Sequence, residues 1–140
     1  MKTKIGNKII TENPTDPALF IAEIGINHNG DLNLAKQMID MAVMNGADFV
    51  KFQKKEPDLC VPEHHKNIPR ETPWGVLSYV DYKKKIEFHK KEFDEIDRYC
   101  KEKGIDWFAS PWDIPSIEFL EQYDTPCYKI PSAILTDKDY

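Results

Sequence analysis

Apolar and polar residues alternate along the chain in two periods, and these predict its elements. Leu19 to Gly25 is a nearly unbroken apolar run, the pattern of a strand covered on both faces. Asp48–Gln53, Ile105–Ser110 and Pro126–Ile130 read as three further strands. After the first, Leu34, Ala35, Met38, Ile39, Ala42 and Val43 form one stripe at helical spacing. Asn29-Gly30-Asp31 starts that helix as a turn and N-cap, and Asn45-Gly46 stops it. A helix between two such strands makes a β–α–β unit, and hence a parallel sheet. Asp81 to Lys103 is highly charged but keeps Phe93, Ile96 and Cys100 on one helical face, with Gly104 as its stop. Asp113 caps a third helix through Ile117, Leu120 and Tyr123, which Pro126 ends. Residues 3–10 read as a small hairpin turning at Gly6-Asn7, followed by a polar connector from Asn13 to Pro17. Residues 54–80, with prolines at 57, 62, 69 and 73, read as a long irregular loop, the kind of connection that carries function or is disordered.

The order after the hairpin is βαβαβαβ, with no internal repeat. The class is α/β, built of parallel (β/α) units. A doubly wound open sheet and a TIM-type (β/α)8 barrel both share that order. A whole barrel takes about 250 residues, so the 140 here would supply half of one. The expected organisation is a hairpin and connector in residues 1–16 and a half-barrel in residues 17–140.

Charge and composition narrow the function. The net charge of −5 speaks against general nucleic-acid binding but leaves room for an anionic small molecule, which responds to local charge. There is no run of 18 apolar residues to span a membrane, and residues 1–16 lack a signal-peptide core. Cys60, Cys100 and Cys127 are odd in number and lack CxxC spacing, which fits free thiols in a reducing cytoplasm. His64 and His65 are adjacent and His28 and His89 isolated, so no metal-ligand spacing appears.

Glu23, Lys51 and Lys129 are charged residues inside apolar strands, where an unpaired charge is costly. Alternation puts Glu23 on the face of Ile21 and Gly25, and Lys51 on that of Phe49 and Gln53, leaving Val50 and Phe52 for helices. Ser110 goes with Phe108, and Lys129 with Cys127. All four polar residues lie toward the carboxyl ends of their strands, where α/β folds bind ligands. Paired lysines suit phosphate and carboxylate groups, and hydroxyls such as Ser110 and Ser132 add hydrogen bonds. The plainer reading is that Glu23 is simply the partner of Lys51 and that each lysine reaches solvent. Gly25 and Gly30 bracket Ile26-Asn-His-Asn29, either as a tight connection or as a loop offering Asn27 and His28 to a substrate; without a following Lys-Ser/Thr it is not a nucleotide loop. Trp74, Trp107 and Trp112 read as packing residues, and Lys83-Lys-Lys85 as a solvated helix face.

Four segments carry a family resemblance: Ala22-Glu-Ile-Gly-Ile-Asn-His-Asn-Gly30, Gly46-Ala-Asp-Phe-Val-Lys-Phe-Gln53, Phe108-Ala-Ser-Pro111 and Tyr128-Lys-Ile-Pro-Ser132. In this order they resemble the sialic acid synthase (N-acetylneuraminate synthase) family, over about Phe20 to Ser132. The resemblance implies a transferase of sialic acid biosynthesis that condenses phosphoenolpyruvate with an N-acetylated hexosamine, giving a nine-carbon 2-keto acid and inorganic phosphate. It implies that Lys51, Ser110, Lys129 and Ser132 hold phosphoenolpyruvate, that Glu23 contacts the sugar and assists proton movement, and that Asn27 and Gln53 make further contacts. It also implies a divalent metal, manganese or magnesium, whose histidine ligands belong to a second barrel half and are not in this chain. The acidic residue often found two positions after the serine is here Ile134, which leaves the acceptor open to legionaminic- and pseudaminic-type sugars. The 140 residues alone are therefore expected to lack synthase activity, and to form a homo-oligomer or associate with a second half. A non-catalytic half-barrel module that pairs to cover its sheet edges is the alternative; another phosphoenolpyruvate-dependent aldol synthase fits the first-strand motif less well.

Overall fold

The computed structural model describes residues 2–140. An antiparallel hairpin, β1 (Lys2–Ile5) and β2 (Lys8–Thr11), precedes a parallel sheet of β3 (Ile21–Gly25), β4 (Phe49–Lys54) and β7 (Asp106–Pro111), adjacent in that order. Helix α1 (Leu32–Met44) joins β3 to β4. The β4–β7 crossover holds two single-turn helices, α2 (Pro57–Cys60) and α3 (Glu63–Lys66), a ribbon of β5 (Pro69–Thr72) and β6 (Gly75–Ser78), and helices α4 (Tyr79–Ile86) and α5 (Lys90–Lys103). Helix α6 (Ile114–Leu120) follows β7, and a 3-10 turn spans Ser132–Ile134.

One apolar layer organises the molecule. Val50, Phe52, Trp107 and Ala109 face outward from the sheet and pack against Ala35 and Ile39 of α1, Phe93, Ile96 and Cys100 of α5, and Leu120 of α6. Phe93 is the hub, with ring centroids 5.6 Å from Trp107 and 5.3 Å from Phe119, and burial of such a ring contributes about 2–3 kcal/mol. Helices α1, α5 and α6 all lie on this face, and the strands neighbour one another in chain order. A doubly wound sheet would reverse its order and place helices on both faces, so the arrangement is a segment of TIM-type barrel wall.

The opposite face carries Phe49 and Phe108, with Lys51, Gln53 and Ser110 above them. Hairpin and sheet meet at the strands' amino ends: a Cβ added at Gly6 would lie 3.1 Å from Pro126 Cβ and 3.2 Å from Asp106 Oδ2, and Lys8 pairs with Asp48 at 2.9 Å. The carboxyl ends are left to the longer loops. Along the unpaired edge of β3, an apolar groove of about 650 Å³ runs between Phe20, Ala22 and Met41.

Three expectations need correction. Pro126–Ile130 is not a strand: prolines 126 and 131 remove ladder donors, and Tyr128 and Ile130 remain 56% and 46% exposed, without the ladder partner that a strand requires. The single helix across residues 81–103 is two, because Glu87 and Phe88 turn inward and His89 restarts the chain in extended backbone, its N–H bonded to Glu92 Oε2 at 3.0 Å. Residues 54–80 are ordered into short helices and a ribbon. Trp74 at the ribbon tip is 43% exposed, so only Trp107 of the three tryptophans is deep in the core.

Candidate functional site

Lys51 stands at the middle of the site because β4 is the central strand. In register it lies beside Glu23 of β3, and Gln53 lies beside Ser110 of β7. Its amine pairs with Glu23 Oε2 and donates to Ser110 Oγ at 3.1 Å, so one side chain, 11% exposed, ties together three strands at their carboxyl ends. Glu23 is half exposed. A bulge between Glu23 and Gly25 ends β3, and the backbone at Gly25 has φ +56°; a Cβ there would come within 3.0 Å of Glu23 Oε1 and 3.4 Å of Gln53 Nε2. Glycine is required in that position, and it keeps both polar groups clear.

Gln53 is oriented by the residue two places on: its Oε1 accepts from Lys55 Nζ at 3.1 Å. Asn27 is exposed in the loop after β3, with its side chain free among the described residues. Lys129 and Ser132 lie in the irregular segment after α6, both exposed, and the Lys129 amine has no ion-pair or hydrogen-bond partner among the described residues. The structure thus ties Glu23, Lys51 and Ser110 together, sets Gln53 beside Ser110 in register, and leaves Asn27, Lys129 and Ser132 outside that network.

His28 does not face a ligand. It is 3% exposed, stacked on Phe88 at 3.8 Å between ring centroids, and its Nδ1 accepts from the Gly30 N–H at 3.1 Å. Burial, only partly opposed by a hydrogen bond to the Gly25 backbone and by Asp31, brings its pKa down to about 4, so it is neutral. Its work is to pin the strand-end loop. Gly30 seals that loop against α4, since a Cβ there would lie 2.6 Å from the Lys85 carbonyl oxygen.

A second polar cluster escaped sequence reasoning. Lys54 is 2% exposed and pairs with Glu87, itself 3% exposed, at 3.1 Å; the same Glu87 oxygen accepts from the Lys55 N–H at 3.1 Å. Burial raises the Glu87 pKa above the ordinary carboxylate value even against Lys54. Asp113, the cap of α6, also accepts from the Glu56 N–H at 2.7 Å, so the ends of β4 and β7 are laced together. The signal available in the sequence was Lys54 on the helix-facing parity of β4, which demands a buried carboxylate. Nor is Lys83-Lys-Lys85 uniformly solvated: Lys84 pairs with Asp58 at 2.8 Å, while Lys83 and Lys85 lie over tyrosine and tryptophan rings.

Among the described residues no group of three or more His, Cys, Asp or Glu side chains is placed to hold a metal ion. No helix among them is long and apolar enough to cross a membrane, and Cys60, Cys100 and Cys127 are all free thiols.

Comparison with known proteins adds three findings. The NeuB family profile matches residues 38–140. N,N'-diacetyllegionaminic acid synthase of Campylobacter jejuni is 37% identical over 87% of this chain and 37% of its own length; human N-acetylneuraminate-9-phosphate synthase is 40% identical over 84% and 33%. The chain therefore spans about a third of the length of these curated relatives. A crystal structure of N-acetylneuraminic acid (sialic acid) synthetase from Leptospira borgpetersenii, in complex with citrate, superposes with a TM-score of 0.81 at 33% identity, over 98% of this chain and 43% of that one.

Proposed function

The chain belongs to the NeuB family, and from that membership we propose that its carboxyl-end rim is the phosphoenolpyruvate-binding part of a sugar-acid synthase. The reaction is a phosphoenolpyruvate-dependent transfer in which a carbon–carbon bond forms to the carbonyl carbon of an N-acetylated hexosamine or a related acetamido sugar. The product is a nine-carbon 2-keto acid of the sialic, legionaminic or pseudaminic type, and inorganic phosphate leaves. The observation that carries this reading is the single amine of Lys51 bridging Glu23 and Ser110 across three parallel strands.

Each side chain has a role that its position suits. Lys51 and Ser110 take the phosphate and carboxylate oxygens, with Lys129 and Ser132 joining from the segment after α6 as a second cation and hydroxyl. An incoming anion takes Lys51 from Glu23. The carboxylate of Glu23, half exposed, is then available to a proton at the sugar carbonyl or hydroxyl. Gln53, with its oxygen occupied by Lys55, offers N–H donors to the sugar, and Asn27 adds a further contact from the loop. A divalent metal, manganese or magnesium, would act as a Lewis acid on the sugar carbonyl; the described residues contain no donor set that fits it. The free thiols suit a reducing compartment, and we place the protein in the cytoplasm. The open β3 edge and its apolar groove suit association with another copy or with further (β/α) units.

Calorimetric titration of phosphoenolpyruvate into the 140-residue chain tests the reading. We expect saturable binding that Lys51→Ala and Lys129→Ala each weaken by about tenfold or more, since a hydrogen bond to a charged group is worth roughly 1.5–3 kcal/mol. Unchanged affinity in both variants overturns it.

A further inference from the structure

The loop between β3 and α1 is wound tightly around His28. The N–H groups of Asn27, Asn29 and Asp31 donate to the carbonyls of Ile24, Ile26 and His28 at 3.0, 3.1 and 2.8 Å. Two residues in it hold left-handed backbone, Asn29 at φ +50° and Gly30 at φ +76°. A residue other than glycine keeps that conformation only where its surroundings hold it. His28 supplies the hold. Its Nδ1 accepts from the Gly30 N–H at 3.1 Å, and the ring also hydrogen-bonds the Gly25 backbone at the far end of the loop. Phe88, from the corner between α4 and α5, stacks on the ring at 3.8 Å, and Phe52 of β4 lies 6.2 Å away. One imidazole thus spans the loop and joins it to the crossover.

Gly25 is where the loop meets the rim. It is buried, and a side chain there would press on Glu23 Oε1 and Gln53 Nε2, so its backbone sits directly against both groups. Asn27 stands exposed two residues further on. A displaced Gly25 therefore changes the spacing of an acceptor and a donor on the side of the site given to the sugar. The Lys51–Ser110 bond, by contrast, crosses from β4 to β7 and includes no atom of the loop.

Acceptance by Nδ1 requires the neutral ring with its proton on Nε2; a protonated ring would turn a second donor on the Gly30 N–H. Burial keeps the ring neutral, lowering its pKa to about 4. Asp31, on the same loop, is the charged neighbour that favours protonation. The other elements packed on the ring present Phe52 and Phe88. Lys85 of α4 meets the loop through its carbonyl oxygen, with its amine over Trp74, and Glu87 is bound to Lys54.

We propose that His28 is a positioning residue for the sugar side of the rim: its neutral imidazole fixes Gly25, and through Gly25 the spacing of Glu23 and Gln53, while the phosphoenolpyruvate clamp stands independent of it. The identity of both substrates rests on the synthase reading above.

Calorimetry on the 140-residue chain with N-acetylmannosamine and phosphoenolpyruvate, beside nitrogen-15 spectra, tests it. His28→Phe keeps a ring against Phe88 and removes both ring nitrogens, whereas His28→Asn sets an oxygen near the place of Nδ1. We expect His28→Phe to weaken sugar binding about tenfold or more, the scale of one or two lost hydrogen bonds, and to hold phosphoenolpyruvate affinity within about twofold. His28→Asn should restore most of the sugar affinity. In the parent the imidazole should show the Nε2–H tautomer at pH 7, and the Gly25 and Asn27 amides should shift with its titration as the pH falls toward 4. Unchanged sugar affinity in His28→Phe overturns the proposal. So does an equal loss of both ligands, which a merely structural role gives, or a loss that His28→Asn leaves in place. If His28→Phe does not fold, the parent's spectra decide: Gly25 and Asn27 amides that stay still while His28 titrates overturn it. Failure of the synthase reading looks different: the parent binds neither ligand, or Lys51→Ala leaves phosphoenolpyruvate binding intact, while those two amides still follow His28.

Discussion

The two faces of strand β4 put similar residues to different use. Facing the helices are Val50, Phe52 and Lys54; facing the other way are Phe49, Lys51 and Gln53. Lys51 meets one carboxylate, Glu23; Lys54 meets Glu87 at 3.1 Å and, less closely, the half-exposed Glu56 at 3.4 Å. Lys54 and Glu87 are 2% and 3% exposed and the carboxylate is also held by a backbone N–H, so nothing can enter between them. Lys51 is 11% exposed but its partner Glu23 is 50% exposed, and its second partner is a hydroxyl. A closed pair on one face fixes the crossover to the sheet. An open pair on the other can be exchanged for a ligand. The difference arises from the two-residue period of a strand, which sends lysines three positions apart to opposite sides.

The largest effect should come from breaking the closed pair. Glu87→Ala leaves the buried Lys54 amine only the half-exposed Glu56, 3.4 Å away, and breaking a buried pair in this way costs about 3–5 kcal/mol. The Lys54→Met/Glu87→Leu double variant removes both charges and should recover most of that loss. Urea unfolding of the parent, Lys54→Met, Glu87→Leu and the double variant closes the cycle that gives the coupling. A single variant costing under about 1 kcal/mol would erase the distinction between the two faces.

Next in size is a pH dependence on the closed side. His28 titrates near 4 in the folded chain against 6.5 when unfolded, because burial disfavours its charged form. A depressed folded value means that the unfolded chain takes up the proton first. The stabilisation is therefore complete above pH 6.5 and is lost as pH falls toward 4, by about 3 kcal/mol. Glu87, with its raised value, works in the opposite sense in acid. His28→Gln should flatten the stability profile between those limits relative to the parent, as urea midpoints at pH 7 and pH 4.5 would show. Parallel profiles would remove His28 from the stabilising side.

Much of this was legible in the chain itself, for local reasons. Asp31 and Asn45 bound α1 where cap chemistry put them, and Lys51, Gln53 and Ser110 share the face that alternation assigned. What alternation could not supply was partnership across the crossover. Glu87 sits in a charged run that reads as a helix surface, and only its meeting with Lys54, 33 residues away, turns it inward and breaks the helix. His28 was misleading for a related reason: an isolated histidine in a strand-end loop looks available until Phe88 covers it. Pro126–Ile130 has a strand's apolar pattern, but the pattern specifies a face, not a ladder partner.

The smallest effect on stability should come from the open pair. Lys51→Met retains the stem that packs beside Phe49 and Phe108 and removes the amine. Glu23 then returns to water, which already reaches half of its side chain, so no buried charge is stranded. An ion pair with one partner in solvent is worth under about 1 kcal/mol, and the Ser110 hydroxyl can turn to another acceptor. Lys51→Met should therefore unfold within about 1 kcal/mol of the parent in urea while losing its phosphoenolpyruvate affinity. A loss approaching that of Glu87→Ala would mean that Lys51 holds the three strands together as firmly as Lys54 holds the crossover. Glu23 would then be a structural counter-ion that no anion displaces, and the rim would need another centre of charge.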